Sequence, residues 1–403
     1  MVRFVTVAGL LLLAFGGYIA GIPAIAAVLP TSPILIGAAL TAVALAIGMA
    51  QRPDTRPIVP LLGLAIAFIP GFVLAPDGVA YADQKVFQLL TLVPLTVVGA
   101  AICAQDRRTL KWLVGGTLAV AALVTVLSFV FASASLAETG RFAAEGSNTI
   151  AAGRAAGAGF VVAVLCAMYT RRRLVSSAAA VVLGAFTVFS GSRGAIAAAA
   201  IGLAVAFLLS RARASTFVTI VGGLAAWFGY RFALSNGLLP ERVLSVDDTS
   251  IEARLLLADI TARIAAANPV GLGWGSMANE YGGYAGVASG GFFYPHNIFL
   301  EAAAEGGWIA GVALVVVFGV AVVRARRASG DWLVTTALAL LVFFAVNAFV
   351  SGDLMSNRGF WLMLGVCLAA IAFRKAEHDD GEASRTEAAS KYASPHQTGV
   401  AVR

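Results

Sequence analysis

The chain has 403 residues, of which 60% are hydrophobic and only 12% charged, and its formal net charge is +7. A soluble domain carries about 25% charged residues, so a mean hydropathy of +0.88 leaves too few charges to cover a water-facing surface. Disorder, collagen and a disulfide scaffold are excluded as well, because three Cys cannot staple a chain of this size. The apolar runs reach helix-spanning length and lack the alternation of barrel strands. An all-α, polytopic membrane helix bundle is expected.

Spans are predicted at 4–29, 33–50, 58–75, 86–104, 112–135, 148–170, 174–190, 193–210, 215–235, 297–323, 332–350 and 357–373. Each is near the ~20 residues that a bilayer crossing needs. Arg3, Arg52, Arg56, Arg107, Arg108, Lys111, Arg171, Arg172, Arg173, Arg211, Arg213, Arg324, Arg326, Arg327, Arg374 and Lys375 fall at every second boundary. The positive-inside rule then places both termini in the cytoplasm. Lys85, Arg141, Arg154, Arg193, Arg231, Arg242, Arg254, Arg263 and Arg358 face the other side. The excess positive charge sits where lipid headgroups favour it and calls for no nucleic-acid partner. The first 28 residues also carry signal-peptide features, with Arg3 before an apolar run and Ala-Ile-Ala near its end; their removal would leave eleven spans with unchanged sidedness. Cys103, Cys166 and Cys367 lie in or beside apolar spans and read as small buried hydrophobes.

In chain order, the first unusual polar group is Arg154, inside the Gly-rich sixth span. Arg193 follows in Phe-Ser-Gly-Ser-Arg-Gly, between the seventh and eighth spans. Arginine forks hold phosphate oxygens bidentately and stay charged when desolvated, and a helix start after Ser-Gly-Ser adds backbone donors. The loop at 236–296 is long enough to suggest function. Thr249 and Glu252 form a capping box, which predicts a helix over 250–267 carrying Arg254. Ile251, Leu255, Leu256, Ile260 and Ile264 would give it an apolar face against the membrane or the bundle. Adjacent Asp247 and Asp248 are explained by the helix dipole. The run Pro269-Val-Gly-Leu-Gly-Trp-Gly275 lets backbone approach a partner closely, although it lacks the pattern of a phosphate loop. The loop closes with Tyr294-Pro295-His296-Asn297.

His296 is the one histidine outside the tail, and a neutral imidazole can accept a proton from a hydroxyl. Asn297, Glu301 and Glu305 share one helical stripe behind it. Carboxylates in a span are costly, so these either orient the acceptor and His296 or bond another helix and hold the bundle together. Arg358 begins the last span and either binds phosphate or snorkels to headgroups. The tail at 376–403 is polar and aperiodic and is expected to be disordered, which leaves 1–375 as the membrane domain. No second His and no Asp-x-Asp pair outside the tail suggest a metal, and no cofactor is expected.

At these motifs the chain resembles the O-antigen ligase and polymerase family of bacterial membrane glycosyltransferases. The resemblance rests on Phe189-Ser-Gly-Ser-Arg-Gly194, on Asn268-Pro-Val-Gly-Leu-Gly-Trp-Gly275, and on Pro295-His-Asn-Ile-Phe-Leu-Glu301 with Glu305-Gly-Gly. It implies metal-independent, inverting transfer of a glycan from undecaprenyl diphosphate at the periplasmic face of the inner membrane. The acceptor would be lipid A core in a ligase, or a second lipid-linked glycan in a polymerase of O-antigen or exopolysaccharide units. By motif, Arg193 and Arg254 would hold the donor diphosphate and His296 would activate the acceptor; by location alone, Arg154 would assist them and Glu301 would support the site.

Two other readings remain at this level. A lipid-linked glycan transporter or flippase would suit many spans with buried charges, but it calls for related halves and midplane polar sites, whereas the polar residues here cluster at one face. A scaffold without catalysis would tolerate loss of His296 and Arg193.

Overall fold

A computed structural model of the chain describes residues 2–29, 31–51, 53–131, 148–209, 235–236, 249–281, 294–370 and 372. Every regular element among the described residues is a helix. The N-terminal third forms α1 (Val2–Ile19), α2 (Pro23–Val28), α3 (Pro33–Ala50), α4 (Ile58–Ala67), α5 (Ile69–Val73), α6 (Ala80–Leu90), α7 (Leu92–Cys103) and α8 (Arg107–Val130). Proline opens α2 and α3, where its absent N–H costs no hydrogen bond. The first expected span, 4–29, is therefore broken at Ala20-Gly21-Ile22, ahead of Pro23. α1 crosses α3 closely because small residues face each other. A Cβ on Gly37 would lie 2.5 Å from the Leu13 nitrogen, so glycine alone permits the approach.

The central part holds α9 (Thr149–Tyr169), α10 (Arg173–Phe189) and α11 (Arg193–Leu209). The expected ninth span falls almost wholly outside the described residues, as do Asp247, Asp248 and the tail from 376. α12 (Thr249–Ala267), α13 (Met277–Glu280), α14 (Ile298–Glu305), α15 (Trp308–Arg327) and α16 (Trp332–Val350) follow, and α17 (Arg358–Ala370) ends the bundle.

Among the described residues, seven helical runs are long and apolar enough to cross a membrane: α1, α3, Ala80–Cys103, α8, α9, α15 and α16. Four shorter apolar helices, at α4, α10, α11 and α17, stand at further expected spans. The expected tenth span is two helices. Gly306 and Gly307 separate α14 from α15, and Gly307 has φ 88°, open to glycine without a steric penalty.

α16 is apolar all round and buried on every side, with Leu338, Leu340, Leu341 and Phe343 fully enclosed, as such a helix must be. α15 instead turns Ile309, Val312, Val315 and Val316 outward, which suits contact with lipid.

α12 forms where the capping signal placed it, but its buried face differs from the expected one. Leu257, Ile260, Thr261 and Ile264 are buried and pack with Met277, Tyr281 and Ala304. Leu255 and Leu256 are 66% and 42% exposed. Thr261 replaces them because its hydroxyl is satisfied inside, by the Leu257 carbonyl at 2.5 Å and the Tyr281 hydroxyl at 2.7 Å. A polar residue with internal partners can occupy an apolar face.

Candidate active site

The segment 294–297 leads directly into α14. Asn297 caps α14, its Oδ1 accepting from the Phe299 and Leu300 N–H groups at 3.0 and 3.2 Å. His296, the residue before this cap, has φ 58°. Among the described residues it is the one non-glycine residue with positive φ. Such strain costs about 1–3 kcal/mol and persists where surroundings enforce it. The Tyr294 ring meets the imidazole edge to face, with centroids 4.6 Å apart at 66°. Burial first, then the charges of Arg254 and Arg154, lower the His296 pKa to about 4, with Asp353 acting the opposite way. The imidazole is therefore neutral at physiological pH and can accept a proton.

Arg254 reaches this electrostatic neighbourhood from α12, and it acts on Tyr294 as well. Its own side chain is half-buried. Arg193 opens α11 behind a tight Ser190-Gly191-Ser192 turn. Gly191 takes φ 66° there, and Ser190 Oγ donates to the Thr187 carbonyl at 2.7 Å and accepts from the Ser192 N–H at 3.3 Å. A Cβ on Gly153 would lie 2.5 Å from Ser190 Oγ, so this turn rests on the residue before Arg154. Gly194 faces Val350 at 3.2 Å by the same measure. Arg193 thus stands where α9, α11 and the end of α16 converge, and it too is half-buried.

Arg154 sits deeper, at 7% exposure. Its Nη2 donates to the Ser351 carbonyl at 2.8 Å and the Asn347 carbonyl at 3.4 Å, and its Nη1 to Asn357 Oδ1 at 3.4 Å. The fork therefore holds the C-terminal carbonyls of α16, where a cation is favoured by the helix dipole. Among the described residues, its Nε has no hydrogen-bond partner. Arg358 is similarly buried, with Nη2 on Gln88 Oε1 at 2.7 Å.

Glu301 and Glu305 do not point towards the imidazole. Both bind Lys85 of α6, and all three side chains are fully buried. The second oxygen of Glu301 accepts from the Leu354 N–H at 2.9 Å. Nearby, Tyr81 donates to Asp353 Oδ2 at 2.9 Å. Among the described residues the buried charged side chains are Lys85, Arg154 and Arg358 against Glu301, Glu305 and Asp353. In their ordinary ionisation the three cations and three anions cancel, as charges removed from water must.

The glycine-rich turn serves the same core. Leu272 and Gly273 donate N–H bonds to the Ala304 and Glu305 carbonyls at 3.0 and 2.9 Å. Gly275 and Met277 donate to the Glu305 carboxylate at 2.9 and 3.3 Å. The close approach anticipated at this turn is to the chain itself. A Cβ on Gly273, with φ 98°, would fall 2.0 Å from the Leu74 carbonyl oxygen, and one on Gly275 2.4 Å from Ala82 Cα. Trp274 is fully buried between Phe68 and Phe72, its Nε1 on the Phe68 carbonyl at 3.2 Å.

Of the residues singled out in the sequence, the structure brings Arg254, Arg154 and His296 into one electrostatic neighbourhood and sets Asn297 beside it as a helix cap. Glu301 and Glu305 go to the ion cluster. Lys85, Asp353 and Tyr81 were given no role by sequence reasoning. Lys85 had a signal, since a lone cation beside an apolar run needs an acid within the bundle; Asp353 and Tyr81 had none.

Residues 178–315 match the family model described as O-antigen ligase. Over this stretch the chain is similar to that family. The matched stretch contains Arg193, Arg254, His296, Asn297, Glu301 and Glu305, whereas Lys85, Arg154, Asp353 and Arg358 lie outside it. No curated protein and no solved structure matches the chain. The apolar helices suit a multi-pass membrane protein, and the matched stretch is similar to the family described as O-antigen ligase.

Proposed function

We propose that the protein transfers a glycan from undecaprenyl diphosphate to an acceptor hydroxyl at the periplasmic face of the inner membrane, and that the reaction is O-antigen ligation to lipid A core. The observation that carries this reading is a neutral, conformationally constrained imidazole at His296, in the field of Arg254 and Arg154, within a stretch matching the ligase family.

In this mechanism the half-buried forks of Arg193 and Arg254 bind the donor diphosphate. Arg154, whose fork is committed to α16, contributes through its charge. The acceptor oxygen attacks the anomeric carbon from the face opposite the diphosphate, and its proton passes to His296. As the new C–O bond forms, the bond from the anomeric carbon to the phosphate oxygen breaks. The electron pair leaves with undecaprenyl diphosphate, whose charge the arginines stabilise. Displacement at that face inverts the anomeric centre. Because the leaving group is already activated and its charge is met by guanidinium groups, the step does not require a metal. Asn297 fixes the turn that presents His296, while Glu301 and Glu305 anchor α14 beneath it.

The test compares a deletion strain with one carrying His296→Ala at normal abundance. Lipopolysaccharide is resolved on a gel and lipid-linked glycan is quantified in parallel. A ligase loses its O-antigen bands in both strains while long glycan accumulates on the carrier. Bands shortened to one repeat unit would instead establish a polymerase. Unchanged lipopolysaccharide in the deletion strain would overturn the ligase reading and move the search to exopolysaccharide or protein acceptors.

A further inference from the structure

The environment of His296 extends well beyond its own loop. Tyr294 meets the imidazole edge to face at 4.6 Å. Tyr81 of α6 lies nearly parallel to Tyr294, with an interplanar angle of 21° and centroids 6.4 Å apart. The Tyr81 hydroxyl is tied to Asp353 at 2.9 Å, and Lys85 Nζ lies 5.5 Å from the Tyr81 ring centroid. Lys85 is in turn clamped by Glu301 and Glu305. A continuous set of contacts therefore runs from the buried charge core through two aromatic rings to the imidazole.

We propose that Tyr294 and Tyr81 are positioning residues for His296, and that this aromatic pair transmits the rigidity of the ion cluster to the imidazole. The inference rests on the assignment of His296 as proton acceptor above. The rings supply what the backbone lacks. The cap of Asn297 and the positive φ set where Cα of His296 lies, but they leave χ1 and χ2 open. The Tyr294 edge limits both, because ring and imidazole prefer one relative orientation. Tyr294 is unsuited to be the base itself. Burial holds its phenol pKa above the usual range, so the group stays neutral. Tyr81 has a hydroxyl already committed to Asp353, and its ring is the part available to Tyr294.

The Tyr294 ring also covers one side of the imidazole. The charged and titratable groups acting on His296 are Arg254 from α12, Arg154 from α9 and Asp353 from the turn before α17, and Tyr294 packs against it from two residues earlier in the chain. Burial is the first of the influences that lower its pKa. Removing the Tyr294 ring should hydrate the imidazole and move its titration upward, whereas a variant that only loosened the fold would lower the amount of active protein and leave that titration in place.

The full-length protein, purified in detergent, is assayed for glycan transfer across pH with Tyr294→Phe, Tyr294→Leu, Tyr81→Phe and His296→Ala at matched folded amounts. Tyr294→Leu is expected to lower kcat about 10- to 100-fold, the scale of a misplaced catalytic group, with a smaller change in acceptor KM. The acidic limb of its rate profile should move to higher pH. Tyr294→Phe keeps the ring and should stay within about threefold of the native rate, well short of a lost catalytic group. Tyr81→Phe breaks the hydrogen bond to Asp353 and should fall between them. Native rate and an unmoved acidic limb in Tyr294→Leu, with His296→Ala inactive, would overturn the positioning role while sparing the base assignment. Equal losses in Tyr294→Phe and Tyr294→Leu would overturn it too, by assigning the effect to the hydroxyl. An active His296→Ala would remove the base assignment itself, and the positioning role with it.

Discussion

Two groups of polar side chains lie near each other in this bundle and differ in their access to solvent. Lys85, Glu301, Glu305, Asp353, Arg154 and Arg358 are buried, and Lys85, Glu301 and Glu305 are wholly enclosed. Arg193, Arg254 and His296 are each half-buried. The buried set holds three formal cations and three formal anions and joins α6, α9, α14 and α17. The half-buried set is cationic apart from a neutral imidazole, and it keeps a face towards solvent. A charge answered inside the protein is committed to structure, whereas a half-exposed guanidinium retains the capacity to meet an anion. Residue type does not separate these roles, since each group contains two arginines. Burial does.

The largest effects should break the comparison at the half-buried set. Arg193→Lys keeps charge but loses the fork, and it should cut donor turnover strongly at unchanged abundance of folded protein. His296→Ala should lower turnover by about 10²- to 10⁴-fold, the usual worth of a positioned acid or base. Steady-state transfer with purified donor measures both. Native turnover in Arg193→Lys would remove its diphosphate role. Arg154→Lys should behave oppositely, with reduced thermal stability and a smaller loss per folded molecule.

Next in size is the buried set. Lys85→Met leaves two carboxylates without their cation and should destabilise the protein by about 3–5 kcal/mol. Thermal unfolding in detergent measures this. Adding Glu301→Gln and Glu305→Gln to that variant should restore part of the loss, because the uncompensated charge is gone. A Lys85→Met protein as stable as the native one would show that the ion cluster contributes little.

The pH dependence sharpens the comparison from the side of His296. Its pKa is lowered from 6.5 to about 4 in the folded chain. Between these values the unfolded chain binds more protons, so this group's contribution to stability is present above pH 6.5 and lost as pH falls towards 4. In the rate profile, the acidic limb of kcat/KM reports the free enzyme and should lie near pH 4. A bound diphosphate would offset Arg254 and Arg154, so the acidic limb of kcat should lie at higher pH. Coincident limbs would count against an anion binding beside His296.

The smallest effect belongs to the exposed Arg263–Asp259 pair, at 2.5 Å on the outer side of α12. Asp259→Asn should change stability by less than about 1 kcal/mol and leave turnover unaltered, which makes it a control for charge changes outside both groups.

Much of this arrangement was legible in the residues. Apolar runs of bilayer length, basic residues at alternate boundaries, proline at helix starts and the capping signal at Thr249 act over a few turns of chain. They locate helices without knowledge of neighbours. The motifs around Arg193 and His296 were legible for the same reason, since a glycine turn or a helix cap is a local device. The sequence also carried the presence of Glu301 and Glu305 on one stripe, but not their direction. Lys85 lies more than 200 residues earlier in the chain, and no local pattern specifies that pairing. The same holds for α12, whose period was plain but whose buried face depended on Tyr281 meeting Thr261. Local backbone preferences and hydrophobic patterning were thus set by the sequence as written. Which charge is buried within the bundle and which stays half-exposed was decided only when distant helices packed, because desolvation and Coulomb attraction depend on distance through space.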